Sequence, residues 1–168
     1  MPVPTTEPVL LRDGRRLELT TMMPSHADAL LRFHHRLSRD STYQRYFSFH
    51  PELSPQELHR FTNVDHRDRE AVVAVDDSEI VGVARFDRVD GLTTAEIAFL
   101  ITDDWRGTGL GPVLLADLVA RALAVGITRF TAQTLTTNSR MLAMFAHCGL
   151  PSATTISAGV VDVTIELV

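Results

Sequence analysis

Three glycines fall within the stretch Trp105-Arg106-Gly107-Thr108-Gly109-Leu110-Gly111-Pro112, between an apolar run of strand character and a long segment of helical apolar spacing. Glycine has no side chain to block a ligand and takes positive φ readily, so successive backbone N–H groups can converge on one point beside a helix N-terminus. Such a turn binds anions, most naturally the oxygens of a diphosphate. Two well-known glycine loops do not fit. A Walker loop needs Gly-Lys followed by Ser or Thr, and the chain contains no lysine. A dinucleotide fingerprint needs a third glycine where Pro112 stands and an early βαβ unit, whereas several strand-like runs precede this loop. A second residue with chemistry is Glu96, an acid set in an apolar strand-like run and so placed as a general base would be.

The elements that must position these residues can be read from spacing. Two apolar runs between residues 8 and 22 flank Asp13-Gly14, as in a hairpin or bent first strand. A helix is predicted from Ser25, read as its N-cap, to near Ser38, and a second helical region from about Ser41 to Phe47. Ser54-Pro55-Gln56-Glu57 carries a capping box with proline at the first helical position. Glu70 to Val75 and Ile80 to Phe86 form a predicted hairpin around Asp76-Asp77-Ser78, and Thr93 to Thr102 is the next strand. Val113, Leu114, Leu115, Leu118, Val119 and Leu123 space a helix from Pro112 to Ala124, with Gly126 after its end. Thr128 to Leu135 is a strand, Asn138 to Cys148 a short helix closed by Gly149, and Ala153 to Leu167 a terminal hairpin around Ala158-Gly159.

Composition narrows the function classes. With 168 residues, 45% of them hydrophobic, and no linker-like stretch, the expectation is one domain over residues 1–168. A net charge of −5, with no basic stripe, argues against a nucleic-acid partner. No long apolar run or signal-like N-terminus is present, so no membrane association and a cytoplasmic location are expected. Cys148 is the only cysteine, which excludes an internal disulfide and a cysteine-cluster zinc site. His34 and His35 are adjacent and point to different faces of a helix, so no metal site is expected.

Arg-x-x-Gly-x-Gly, read from Arg106 through Gly109 to Gly111, resembles the pyrophosphate-binding signature of the GCN5-related N-acetyltransferase (GNAT) superfamily. The order strand, helices, three antiparallel strands, helix, strand, helix, strand pair is also that of the superfamily. The resemblance covers almost the whole chain and is most specific over Ala95 to Gly111 and from Asn138-Ser139-Arg140-Met141-Leu142 to Gly149-Leu150. It implies an α/β (α+β) GNAT fold: a mixed sheet of about six to seven strands, about four flanking helices, and a parallel strand pair splayed at the cofactor site. It also implies acetyl-coenzyme A as cosubstrate, without a metal, and direct acetyl transfer to an amine. Phe33-His34-His35-Arg36-Leu37-Ser38, Tyr46-Phe47 and Val64-Asp65-His66 look like the catalytic domain of actinobacterial protein-lysine acetyltransferases that modify acyl-CoA synthetases. The first acceptor is therefore a protein lysine. A small-molecule amine, amino acid or polyamine is the alternative, and a non-catalytic acyl-CoA sensor is a reading from a different class.

What the resemblance implies for individual residues follows. Main-chain groups of Phe99, Leu100 and Ile101 would hold the pantetheine arm, with Asn138, Met141 and Phe145 beside it. Arg106, Gly107, Thr108, Gly109, Leu110, Gly111 and Pro112 would hold the diphosphate. Ala95-Glu96-Ile97-Ala98-Phe99 is similar to the strand bearing the catalytic glutamate, and His34 would approach the acceptor. Many relatives place a tyrosine where Phe145 stands, to protonate the departing sulfur. A phenyl ring cannot donate a proton, so either the thiolate, whose parent pKa is ~8.5, leaves unassisted or Tyr43 or Tyr46 reaches in; the first is favoured. Without lysine the chain offers no side chain for self-acetylation.

Overall fold

The computed structural model describes residues 6–168. Strands β1 (Glu7–Leu10) and β2 (Arg16–Thr21) are joined by the Asp13-Gly14 turn, where Gly14 has φ +90° and Asp13 accepts the Arg15 N–H at 3.0 Å. Helices α1 (Ala27–Arg36), α2 (Arg39–Tyr46) and α3 (Pro55–Thr62) follow, then strands β3 (Arg69–Asp76), β4 (Glu79–Arg88) and β5 (Thr94–Ile101). Helix α4 (Leu110–Ala124), strand β6 (Arg129–Leu135), helix α5 (Ser139–Ala146) and strands β7 (Ser152–Ser157) and β8 (Val160–Glu166) complete the order. The sheet runs β1-β2-β3-β4-β5-β6-β8-β7, and among the described residues only β5 and β6 are parallel neighbours.

Turn chemistry explains why the hairpins close where they do. Asp77 and Ser78 both take positive φ (49° and 65°) between β3 and β4, and Ala158-Gly159 does the same between β7 and β8. Two left-handed residues in succession give the turn whose twist matches paired strands. Helix α3 begins as its residues require: Ser54 Oγ accepts the Glu57 N–H at 3.1 Å, and Glu57 returns the contact to the Ser54 N–H at 3.0 Å.

The sheet separates two cores. On one side Leu110, Leu114, Leu115, Leu118 and Ala122 of α4 pack on Val72, Ala84, Phe86, Ile97 and Phe130. On the other, Leu30 and Phe33 of α1 and Phe61 of α3 cover Ala71, Val73 and Val83. Gly82 lets α4 come close: a Cβ there would lie 3.1 Å from Leu110 Cδ2 and 3.3 Å from Leu114 Cδ1.

The fold is the expected mixed-sheet class, with eight strands and five α-helices among the described residues. Both counts exceed the expectation. The extra strand arises because residues 8–22 form two full strands; the five helices are those read from spacing along the chain, with α1 and α2 separated, as expected, where Leu37 turns extended (φ −69°, ψ 142°). Ser38, read as the end of the first helix, instead caps the second by accepting the Ser41 N–H at 3.1 Å. Ser25 is not an N-cap. Pro24–His26 form a 3-10 turn in which the His26 imidazole accepts the Met23 N–H at 2.9 Å, and α1 starts only at Ala27. Helix α4 begins two residues earlier than its apolar spacing suggests, inside the glycine loop.

Candidate active site

The parallel pair is where the sheet opens. β5 and β6 pair only at Thr94–Arg129, Ala95–Phe130 and Glu96–Thr131. Beyond that point β5 stays paired to β4 as far as Ile101, and β6 to β8 as far as Leu135. Each strand therefore keeps its outer neighbour and loses its inner one. The main-chain edge of Phe99, Leu100 and Ile101 facing β6 is left for an extended ligand to use as an added strand would.

A cleft of about 1060 Å³ fills this fork and runs to the glycine loop. That exceeds the usual ~300–1,000 Å³ of small-molecule sites and suits a long ligand. At its far end Gly107 (φ +72°) and Gly109 (φ +92°) turn the chain through left-handed backbone into α4. The first turn of α4 has no acidic residue, so its positive end is uncompensated. Space is also tight here: a Cβ on Gly109 would lie 3.0 Å from Arg12 Nε, and one on Gly111 2.9 Å from Met144 Sδ. Gly107, Gly109, Leu110, Gly111 and Pro112 all line the cleft.

Two residues of the signature have other work. Thr108 is buried and lies outside the cleft lining; its hydroxyl donates to the Trp105 carbonyl at 2.6 Å and closes the loop. Arg106 borders the cleft, but its Nε faces Asp103 at 3.4 Å and its Nη2 donates to Ser41 Oγ.

Glu96 stands at the fork point, the last paired residue of β5. Its neighbours Ala95 and Ile97 point into the α4-side core, so alternation turns Glu96 to the opposite face. It is exposed, lines the cleft, and has no ion pair or side-chain hydrogen bond among the described residues. Directly across on β4 lies Asp87, whose carboxylate is held by Arg69 at 3.1 Å and Arg60 at 3.3 Å. Of the two facing carboxylates, Glu96 is the one with no partner to give up.

His34 is not brought to the cleft. It is buried, its Nε2 donates to the His50 carbonyl at 2.9 Å, and its ring meets Tyr46 and His50 edge-on at 6.1 and 5.8 Å. Burial holds its pKa below the ordinary 6.5. It lines a separate cavity of about 20 Å³, room for about one water, with Tyr46 and Arg85. Of the two tyrosines, Tyr43 is exposed away from the cleft, while Tyr46 lines it, stacked on His50 at 4.1 Å. Burial raises the Tyr46 pKa, so its phenol stays protonated at neutral pH.

Asn138 does what an N-cap does, its Oδ1 accepting the Met141 N–H at 3.3 Å, and it also lines the cleft. Met141 and Phe145 join it there; the Phe145 ring meets Phe99 edge-on at 6.1 Å. Sequence reasoning missed Arg12, Arg45, Gln133, Arg140 and Met144, all cleft residues. It also missed Arg85, a buried guanidinium lying 4.2 Å over the Phe61 ring whose pKa burial lowers to about 10. No local motif marks any of them; Arg12 reaches Gly109 only because the β1–β2 turn folds beside the loop, where Arg15 also donates to the Asp104 carbonyl at 2.8 Å.

Comparison with known proteins agrees with this geometry. A family model described as the acetyltransferase (GNAT) family matches residues 15–150. The chain is 30% identical over 148 residues to Acetyltransferase Pat of Mycolicibacterium smegmatis, covering 86% of this chain and 44% of that protein. It is 29% identical over 113 residues to Acetyltransferase PA5475 of Pseudomonas aeruginosa, covering 65% of this chain and 61% of that one. It thus spans less than two thirds of either relative. Among solved structures, the GNAT domain of S. lividans PAT superposes with a TM-score of 0.90 at 31% identity, covering 96% of both chains. A cAMP-binding acyltransferase from Mycobacterium smegmatis superposes at 0.71 and 26% identity, over 98% of this chain and 48% of that one.

Proposed function

The chain belongs to the acetyltransferase (GNAT) family of acyl-CoA-dependent N-acetyltransferases, and from that membership we propose that it moves an acetyl group from acetyl-CoA directly to an amine. The acceptor in this reading is a protein lysine, such as one in an acyl-CoA synthetase, as the resemblance of Phe33–Ser38, Tyr46-Phe47 and Val64-Asp65-His66 to protein-lysine acetyltransferases implies. The observation that carries the reading is the fork: a strand edge freed just past Glu96, opening toward a glycine loop at a helix N-terminus.

The residues present suit acetyl-CoA, which supplies the activated thioester. The free edge of Phe99, Leu100 and Ile101 accepts a peptide-like arm, flanked by Asn138, Met141 and Phe145. Backbone N–H groups from Gly107 to Gly111 and the positive end of α4 take the diphosphate, with the Arg12 guanidinium beside Gly109 adding charge. An N–H on the open β5 edge polarises the thioester carbonyl as negative charge grows on its oxygen.

Glu96 acts as the general base. A lysine amine has a pKa of ~10.4, so only about one in ~2,500 is neutral at pH 7, and attack requires loss of that proton. An unpaired carboxylate at the fork accepts it without breaking an ion pair. The sulfur leaves as a thiolate without an acid, Phe145 having no proton to give. His34 has no part in the transfer in this reading, because its Nε2 proton is engaged by the His50 carbonyl.

Replacement of Glu96 by Gln tests the assignment. Turnover should fall ~100- to 10,000-fold while calorimetry shows acetyl-CoA binding unchanged. A Glu96→Gln protein as fast as wild type removes Glu96 from the mechanism. Mass spectrometry of acyl-CoA synthetases incubated with enzyme and acetyl-CoA tests the acceptor; unmodified lysines throughout would shift it to a small amine.

A further inference from the structure

The guanidinium of Arg106 is occupied by protein groups rather than left open to the anion cradle. Its Nε faces Asp103 Oδ1 at 3.4 Å and its Nη2 donates to Ser41 Oγ. The same Asp103 oxygen accepts from Ser41 Oγ at 3.2 Å and Ser38 Oγ at 3.4 Å, and Ser38 caps α2 through the Ser41 N–H at 3.1 Å. One arginine of the glycine loop is therefore tied to the first turn of α2.

Helix α2 lies against both β5 and β6, across the mouth of the fork. Ser41, Gln44 and Arg45 occupy one helical face, being three and four residues apart. All three line the cleft with the adjacent Tyr46 and Phe47, and Ser41 is the buried one of the three. Whatever holds Ser41 also sets the rotation of α2 and hence where Gln44 and Arg45 stand. At the other end Tyr46 anchors the helix by packing on the α1-side core and stacking on His50 at 4.1 Å; at the first turn only Ser41 and Thr42 are buried, and Ser41 is the one tied to the glycine loop.

We infer that Arg106 is a positioning residue whose side chain couples the cofactor loop to α2, so that a filled loop holds the Gln44–Phe47 wall of the acceptor side in place. This rests on the acetyl-CoA reading above for the identity of the loop's ligand. In it, the signature arginine serves the second substrate through Ser41 and Asp103, and the backbone of the loop serves the first.

Hydrogen exchange with and without coenzyme A tests this. In wild type, saturating coenzyme A should slow exchange of the α2 amides by about fivefold or more, as coupling between two sites does. Arg106→Met should lose that protection while binding coenzyme A within about threefold of wild type, the cradle being main-chain. Arg106→Lys, which keeps a cation opposite Asp103, should recover part of it. Ser41→Ala should weaken it with the Asp103 contact intact, and melting curves confirm that each variant is folded. Equal α2 exchange with and without coenzyme A in wild type overturns the inference, as does a loss of affinity of tenfold or more in Arg106→Met, which would make the side chain a direct ligand. A wild-type protein that binds no coenzyme A overturns the acetyl-CoA reading, and this inference with it, at the first titration.

Discussion

Gly109 and Gly111 stand two residues apart in the same loop, and alanine should destabilise the fold at the first and leave it nearly unchanged at the second. Gly109 sits at φ +92°, ψ 6°, where an L side chain is strained. Alanine there costs ~1–2 kcal/mol in backbone energy alone. In addition its Cβ would come within 3.0 Å of Arg12 Nε, so the Arg12 side chain must move. At roughly 2–4 °C per kcal/mol for a chain of this size, Gly109→Ala should melt ~2–8 °C below wild type. Gly111 lies in the first turn of α4 with ordinary helical backbone, where alanine is a better helix former than glycine by up to ~1 kcal/mol. Its Cβ would lie 2.9 Å from Met144 Sδ and 3.7 Å from Ile101 Cδ1, and the thioether is a flexible end that can shift. The gain and the shift offset, and Gly111→Ala should melt within ~2 °C of wild type.

Binding should not separate the two in the same way. Ile101 and Met144 line the cleft, so the new methyl at 111 enters the space where the cradle meets the fork. Crowding of that kind costs ~1–3 kcal/mol, or ~5- to 150-fold in the Kd for coenzyme A. Met144→Ala in the Gly111→Ala background should return part of that affinity by giving the displaced atoms room. Scanning fluorimetry reads the first pair of effects and isothermal titration the second. A Gly111→Ala protein that binds coenzyme A like wild type, or a Gly109→Ala protein that melts like wild type, would refute the account of why glycine is needed at these positions.

Two further outcomes concern stability. His34 is held neutral in the fold, its pKa lowered below 6.5 by burial. The unfolded chain therefore takes up that proton first, so the contribution of neutral His34 is whole above pH 6.5 and is lost as pH falls toward the folded pKa, at a slope of at most ~1.4 kcal/mol per pH unit. Urea midpoints measured between about pH 5 and pH 8 should fall with acid in wild type and fall less steeply in His34→Gln, and equal slopes would remove His34 from the linkage. Leu114 is fully buried where α4 crosses Gly82, so Leu114→Ala should cost ~2–5 kcal/mol by denaturant unfolding; a loss under ~1 kcal/mol would mean the α4-side core repacks freely.

The ion pairs elsewhere in the fold sort themselves by burial. Arg32 and Arg36 on Glu79 are exposed and contribute little to stability in salt. Glu70 is different: it is buried and held by Thr21 at 2.7 Å, His66 at 3.0 Å, the Ala71 N–H at 2.9 Å and Arg121 at 3.6 Å. A buried carboxylate needs such a set to offset desolvation, and this one ties β2, β3 and α4 together.

What the sequence by itself determined was local. Asp13-Gly14 and Ala158-Gly159 close hairpins, and Ser54-Pro55-Gln56-Glu57 starts a helix, because backbone conformation and capping depend on residues within a few positions of one another. The glycine loop was legible for the same reason, as was the exclusion of a Walker loop in a chain without lysine. The tertiary structure decided the rest. The fork depends on where a parallel register stops, after Glu96 and Thr131, and nothing near either residue encodes that. Alternation placed Glu96 on an interior strand, but its freedom to act follows from Arg60 and Arg69 pairing with Asp87 instead. His34 turned inward to a carbonyl sixteen positions along the chain, and Arg106 was drawn to Ser41, sixty-five positions away. Polar side chains go where partners can satisfy them, and those partners come together only when the chain has folded.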